Sequence, residues 1–295
     1  MKLTLVIAAT LLAGSLYAQE PEYGPAKGTL IIQGGGSDVD TGIWETFINK
    51  AGGLNANIIV VPTNGGNRTA DGKLREYKEE QVTAMWKRRG ATNVHMLHTA
   101  DPKVADTEEF AKPLREANAV WFDGGRQWNC VDSYANTLTE KEFHKVLERG
   151  GVIGGSSAGA TIQGDYLVRG AVAGSEIVMT PEPNHEHGFA FLRKSAIDQH
   201  INTRNRWDDL DQVIKKYPNM LGIGLSEGTA IVVTGDRFEV IGKWKVAIHD
   251  NTRVYQPWEK PYYILSLGDV YNMKTRKLEK YGIGSPVPPP ALKKQ

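Results

Sequence analysis

The chain has 295 residues, 40% of them hydrophobic and 23% charged, a globular composition that excludes a fibre and a disordered chain. Its 35 Lys and Arg stand against 34 Asp and Glu, so it lacks the basic surplus with which nucleic-acid binders neutralise phosphates. The single cysteine, Cys130, excludes an internal disulfide, and the core must hold without staples.

Residues 1–18 have the charged start (Lys2), apolar middle (3–12) and small-residue end of a secretory signal, with cleavage expected after Ala18. The alternative, a membrane anchor, is disfavoured because that apolar run is far shorter than the ~20 residues a span needs. No later segment is apolar enough to span, so a secreted or periplasmic protein is expected, free of the membrane after signal removal. Residues 19–28, with Pro21 and Pro25, read as a linker or edge strap.

Residues 29–33 form an apolar run closed by Gly34-Gly35-Gly36, a first strand and a permissive loop, before a helix over 43–51. Those glycines have neither the Gly-x-Gly-x-x-Gly spacing nor the Walker ending, which argues against dinucleotide binding. A strand over 57–62, a charged amphipathic helix over 74–89, a strand over 93–97, a helix over 104–117 and a strand over 119–122 follow. A helix over 139–149 then leads into a strand at 152–153. Strands that are near-continuous apolar runs, alternating with helices, predict an α/β fold with a mostly parallel sheet covered by helices on both faces. Ligands in such folds bind at the carboxyl ends of strands.

Beyond residue 167 the pattern loosens through a loop at 179–184. Residues 195–200 end a strand, 207–217 form a helix and 221–227 a further strand. Residues 230–234 and 237–241 make a hairpin across Gly235-Asp236. Further strands over 243–249 and 262–267 add to the sheet margin. Residues 29–285 are expected to form one domain and 286–295, rich in Pro and Lys, a mobile tail.

The chemistry centres on Gly155-Ser156-Ser157-Ala158-Gly159, which fits the strand–turn–helix pattern of a nucleophile elbow with Ser157 at its tip. A Gly/Ser-rich turn between any strand and helix has the same composition, so the context decides. A serine hydroxyl needs a base oriented by a third group. Of the seven histidines, His95 and His98 straddle a strand end and His144 lies on a solvated helix. The order Ser, acid, His would leave His249. The order Ser157, His200, Glu227 places all three at or beyond strand carboxyl ends and is preferred. His185-Glu186-His187 lacks a third ligand and reads as a surface loop, so no metal and no organic cofactor is expected.

The elbow, Asp198-Gln199-His200 and Gly222-Ile223-Gly224-Leu225-Ser226-Glu227-Gly228-Thr229-Ala230 resemble the cyanophycinase branch of the serine peptidases, which includes dipeptidase E, over about residues 29–277. The resemblance implies a class I glutamine-amidotransferase-like, flavodoxin-like three-layer fold with added C-terminal antiparallel strands. It also implies a Ser157–His200–Glu227 triad and an oxyanion hole from the N–H groups of Gly125 and Ala158. Cyanophycinases cleave the arginine-decorated polyaspartate cyanophycin to β-aspartyl-arginine, and Gln127, Asp198, Gln199, Arg204 and Arg206 match positions lining that family's substrate site. A homodimer is the family expectation. Two positions depart from the pattern: Arg126 stands where Asn or Asp is typical, and Asp209 where a further arginine is expected. A narrow acidic or isoaspartyl dipeptidase, and an exported peptide-binding protein without turnover, are the alternatives.

Overall fold

The computed structural model describes residues 20–284 and 289–293. The expected signal at 1–18 and parts of the C-terminal tail lie outside the described residues. In chain order the first half runs β1 (Thr29–Gln33), α1 (Ile43–Ala51), β2 (Ile58–Val61), α2 (Glu79–Arg88), β3 (Val94–Met96), α3 (Pro102–Ala105), α4 (Glu108–Ala111) and β4 (Ala119–Phe122). There follow α5 (Trp128–Tyr134), α6 (Leu138–Glu148), β5 (Val152–Ser156), α7 (Ala158–Thr161), β6 (Gly164–Tyr166), β7 (Leu192–Gln199) and α8 (Leu210–Lys216). The chain closes with β8 (Leu221–Leu225), β9 (Thr229–Thr234), β10 (Arg237–Gly242), β11 (Val246–His249), β12 (Tyr263–Leu265), β13 (Val270–Asn272) and β14 (Lys277–Lys280).

The strands are continuous apolar runs because both of their faces are covered. In β1, Leu30 and Ile32 enter one core cluster and Ile31 the other, and β2 and β4 divide their residues in the same alternation. Phe47 and Trp86, from α1 and α2, cover one face, while Tyr134, Phe143 and Leu147, from α5 and α6, cover the other. Each such side chain contributes roughly 1.5–3 kcal/mol when fully buried. The principal sheet has the order β14-β13-β10-β9-β1-β5-β4-β2-β3. Its β1, β5, β4, β2 and β3 are parallel, and β9 joins antiparallel to β1. A second sheet, β12-β11-β8-β7-β6, packs Ile197, Ile223 and Val246 into the same core as α5 and α6. The fold is therefore α/β, mostly parallel, with antiparallel strands added toward the C terminus.

Several elements differ from the sequence reading. The helix expected over 74–89 starts only at Glu79, because an Arg68–Leu74 bridge and the Thr69 N–H bonded to the Lys73 carbonyl hold the preceding residues in a turn. The helix expected over 104–117 is broken. Asp101 caps α3 and Thr107 caps α4, and Pro113 lies in a 3-10 turn over Lys112–Arg115. Helix α5 and strand β6 were not anticipated. The described part of the tail, expected to be mobile, is bonded: the Lys293 N–H donates to the Thr252 carbonyl at 2.7 Å and the Val254 N–H to the Ala291 carbonyl at 2.8 Å.

Candidate active site

Strand β5 lies between β1 and β4, in register with both, so its carboxyl end emerges at the middle of the sheet edge. Ser157 follows it with φ 59° and ψ −116°, a conformation costly for a residue with a side chain and typical of a functional elbow. Its N–H donates to the Gln33 carbonyl at 3.0 Å. The flanking glycines are sterically required: a Cβ on Gly155 would collide with the Gly159 carbonyl, and one on Gly159 with the Phe122 carbonyl.

The ends of β7 and β8 are paired, Gln199 opposite Leu225, so the residues just beyond them converge. His200 Nε2 lies 2.8 Å from Ser157 Oγ, and its Nδ1 lies 2.5 Å from Glu227 Oε1. Since a carboxylate only accepts, Nδ1 carries the proton and Nε2 accepts from the serine hydroxyl. Thr203 Oγ1 donates to the same Glu227 oxygen at 3.0 Å, and Asn202 Oδ1 accepts from the Glu227 N–H at 2.9 Å. Burial pulls the His200 pKa below its ordinary value, and the Glu227 hydrogen bond offsets this only in part. For Glu227, partial burial pushes its pKa up, but the bonds from His200 and Thr203 prevail and leave it lowered. The Glu227 side chain retains 31% exposure. Its pairing therefore serves geometry more than desolvation.

The Gly34-Gly35-Gly36 loop, read above as a permissive loop unsuited to dinucleotide binding, forms the floor under this file. A Cβ on Gly35 would stand 2.8 Å from both ring nitrogens of His200, and one on Gly36 would stand 2.7 Å from Glu227 Cβ. The Gly34 carbonyl accepts from the His200 N–H at 2.9 Å, and the Gly35 carbonyl from the Gly228 N–H at 2.8 Å. A run of three glycines at a strand end was the available signal.

Gly124 lies against Ser157: a Cβ added to it would stand 3.3 Å from the serine Cβ. Gly125 has φ 138° and no room for a side chain against the Asn64 carbonyl, which accepts from the Arg126 N–H at 2.6 Å. The N–H groups of Gly125 and Ala158 have no acceptor among the described residues.

The five residues matched to a substrate site fall into different environments. Arg204 is exposed, whereas Gln127, Asp198, Gln199 and Arg206 are buried. Gln127 Nε2 donates to the carbonyls of Val168 and Arg169, so it holds a loop. Both Asp198 oxygens are taken by Arg169, whose Nε and Nη2 donate at 2.9 and 3.0 Å. Arg169 also bonds Asp209 and, at 2.5 Å, the Ser175 carbonyl. Burial works against its charge, yet the two carboxylates hold the Arg169 pKa above its ordinary value. The Arg206 Nη1 stands 3.4 Å from the Gln199 carbonyl and 3.9 Å from Asp198. Arg169 escaped the sequence reading because it lies in the stretch without periodicity. Asp208 pairs with Lys260 and Asp209 with Arg169.

Four of the other histidines do structural work. His249 is buried, accepted by the Trp207 carbonyl at 3.0 Å and pushed down to about 4 by burial. His98 is bonded to Thr63 Oγ1 and also pushed down to about 4 by burial. His144 packs its ring against Phe191 instead of standing in solvent. His185, expected on a surface loop, is buried and bonded to Asp132 at 2.7 Å.

Comparisons with known proteins identify the family. The sequence model of peptidase family S51 matches residues 30–241. A cyanophycinase of Synechococcus elongatus is 30% identical over 275 residues, covering 86% of this chain and 81% of that relative. A cyanophycinase of Geminocystis herdmanii is 26% identical over 273 residues, covering 85% of this chain and 96% of its own. Among solved structures, a peptidase from an acI-B1 actinobacterium superposes with a TM-score of 0.63 at 20% identity, over 85% of this chain and 98% of that one. A putative peptidase E protein from Listeria monocytogenes gives 0.50 at 19% identity, over 74% and 98%. The class is thus a serine-type peptidase on an α/β scaffold. Within that class, the chain belongs to peptidase family S51.

Proposed function

We propose that this peptidase hydrolyses cyanophycin or related β-aspartyl peptides, with Ser157 as nucleophile, His200 as general base and Glu227 as the group that orients the imidazole. The observation that carries the reading is the unbroken file Ser157 Oγ–His200 Nε2–Glu227 Oε1, at 2.8 and 2.5 Å. His200 takes the serine proton as Oγ attacks the carbonyl, Glu227 stabilises the imidazolium, and the proton passes to the leaving amine. Water then hydrolyses the acyl-enzyme by the same route. The unengaged N–H groups of Gly125 and Ala158 support their assignment to the oxyanion, a contribution of about 10²–10³ in kcat per donor. Arg204 and Arg206 would receive substrate carboxylates, since guanidinium groups suit them bidentately. Release of β-aspartyl-arginine is expected by resemblance to the cyanophycinases. Export through the signal at 1–18 would bring the enzyme to a polymer released by other cells.

The test is incubation of the protein and its Ser157→Ala variant with cyanophycin, with products read by mass spectrometry. Release of β-aspartyl-arginine by the unmodified protein alone is expected, with a loss of about 10⁴-fold or more in the variant. Equal release by both would refute the assignment of Ser157. No release from the polymer alongside cleavage of free β-aspartyl dipeptides would favour the narrower dipeptidase.

A further inference from the structure

Arg126 and Asp198 face the substrate question from opposite sides. Arg126 leaves the turn that begins with Gly124, the residue lying against Ser157. Its guanidinium donates through Nη2 to the Ala171 carbonyl, while its Nε–H is buried with no acceptor. Among the described residues Arg126 forms no salt bridge; burial lowers its pKa, and the charge of Glu176 opposes that shift without cancelling it. A partly desolvated guanidinium with a spare N–H favours an oxygen anion.

Asp198 is in the reverse state. It is fully buried, both oxygens are held by Arg169, and the Gln199 N–H donates to it as well, at 2.9 Å. Arg169 is itself buried and bonded to Asp209 and the Ser175 carbonyl. A substrate guanidinium could reach Asp198 only by expelling one that the protein already supplies.

We propose that Arg126 is a specificity-determining residue that receives a substrate carboxylate beside the scissile bond, and that Asp198 does not read a cationic substrate side chain. The inference rests on the peptidase reading above and narrows its substrate class. The neighbour of the β-aspartyl unit is recognised by its carboxylate and not by its side chain.

Four probes test this, each with two α-linked aspartyl units whose backbone bond can be cleaved: the units carry β-linked arginine or β-linked leucine, with the carboxyl groups of those branches free or as amides. Steady-state kinetics are compared for the unmodified enzyme, Arg126→Ala and Arg126→Lys. Calorimetric binding is measured on Ser157→Ala proteins carrying the same changes. Amidation is expected to weaken binding and raise KM about tenfold or more in the unmodified protein, and less than about twofold in Arg126→Ala. Arg126→Lys should retain part of the effect, kcat should change little, and exchanging arginine for leucine should move KM less than about threefold. An amidation penalty unchanged in Arg126→Ala, a tenfold preference for arginine over leucine, or no measurable binding by any probe would overturn the proposal. Binding with the expected pattern but no turnover would refute the peptidase reading and leave this inference standing. Ser157-dependent turnover without an Arg126-dependent penalty would do the reverse.

Discussion

His200 is held by two strand ends and a glycine loop, and its protonation decides whether Ser157 can be activated. Burial keeps its pKa below the ordinary histidine value, so the neutral base persists into mildly acidic solution. The acid limb of kcat/KM is therefore expected to lie below about pH 6.5; a limb above neutrality would contradict that environment. Gly35 has φ 100° and lies against the imidazole. Gly35→Ala is expected to displace the ring and lower kcat about 10²-fold or more, with thermal melting showing that the fold persists. An unchanged kcat would mean that the loop yields more easily than the ring. Ser157, His200 and Glu227 were legible in the sequence because each stands at an apolar strand's end, where polar residues are conspicuous. The supporting Gly35, Thr203 and Asn202 were not, since their roles depend on contacts across the sheet edge.

Among the elements, the segment around 168–178 is the wall that sequence periodicity could not show. Arg169 and the loop carbonyls bind it to Asp198, Asp209, Gln127 and Arg126. Replacing Arg169 by Met leaves Asp198 buried without its partner, and a loss of about 3–5 kcal/mol is expected by chemical denaturation. Adding Asp198→Asn should recover much of that loss; no recovery would show that the arginine acts through packing. At the end of β4, burial raises the Asp123 carboxyl to about 7. Its folded pKa exceeds the unfolded value of about 3.9, so stability associated with the neutral form is lost as pH rises from about 4 through about 7. Asp123→Asn should accordingly raise Tm by an increment that grows from pH 5 to pH 8; an increment independent of pH would contradict the shift. The parallel strands were readable because burial on both faces writes a continuous apolar run. The helix expected over 104–117 was misread because Thr107 and Pro113 interrupt an otherwise suitable pattern.

Over the whole molecule, the two sheets share one core, and the crossing point of their strand ends is where the site lies. Strand β5 brings Ser157 from the principal sheet, while β7 and β8 bring His200 and Glu227 from the second. The sequence predicted the alternation of strands and helices but not the division into two sheets, since neighbour relations between distant strands leave no periodic trace. Among the described residues no helix is long and apolar enough to cross a membrane. The most direct measurement of the central claim is labelling with a phosphonylating serine probe, followed by intact mass and peptide mapping. One adduct on Ser157 is expected, absent in Ser157→Ala and slowed by at least about 10²-fold in His200→Ala. Adduct formation at another serine, or labelling of Ser157 that is indifferent to the loss of His200, would contradict the account.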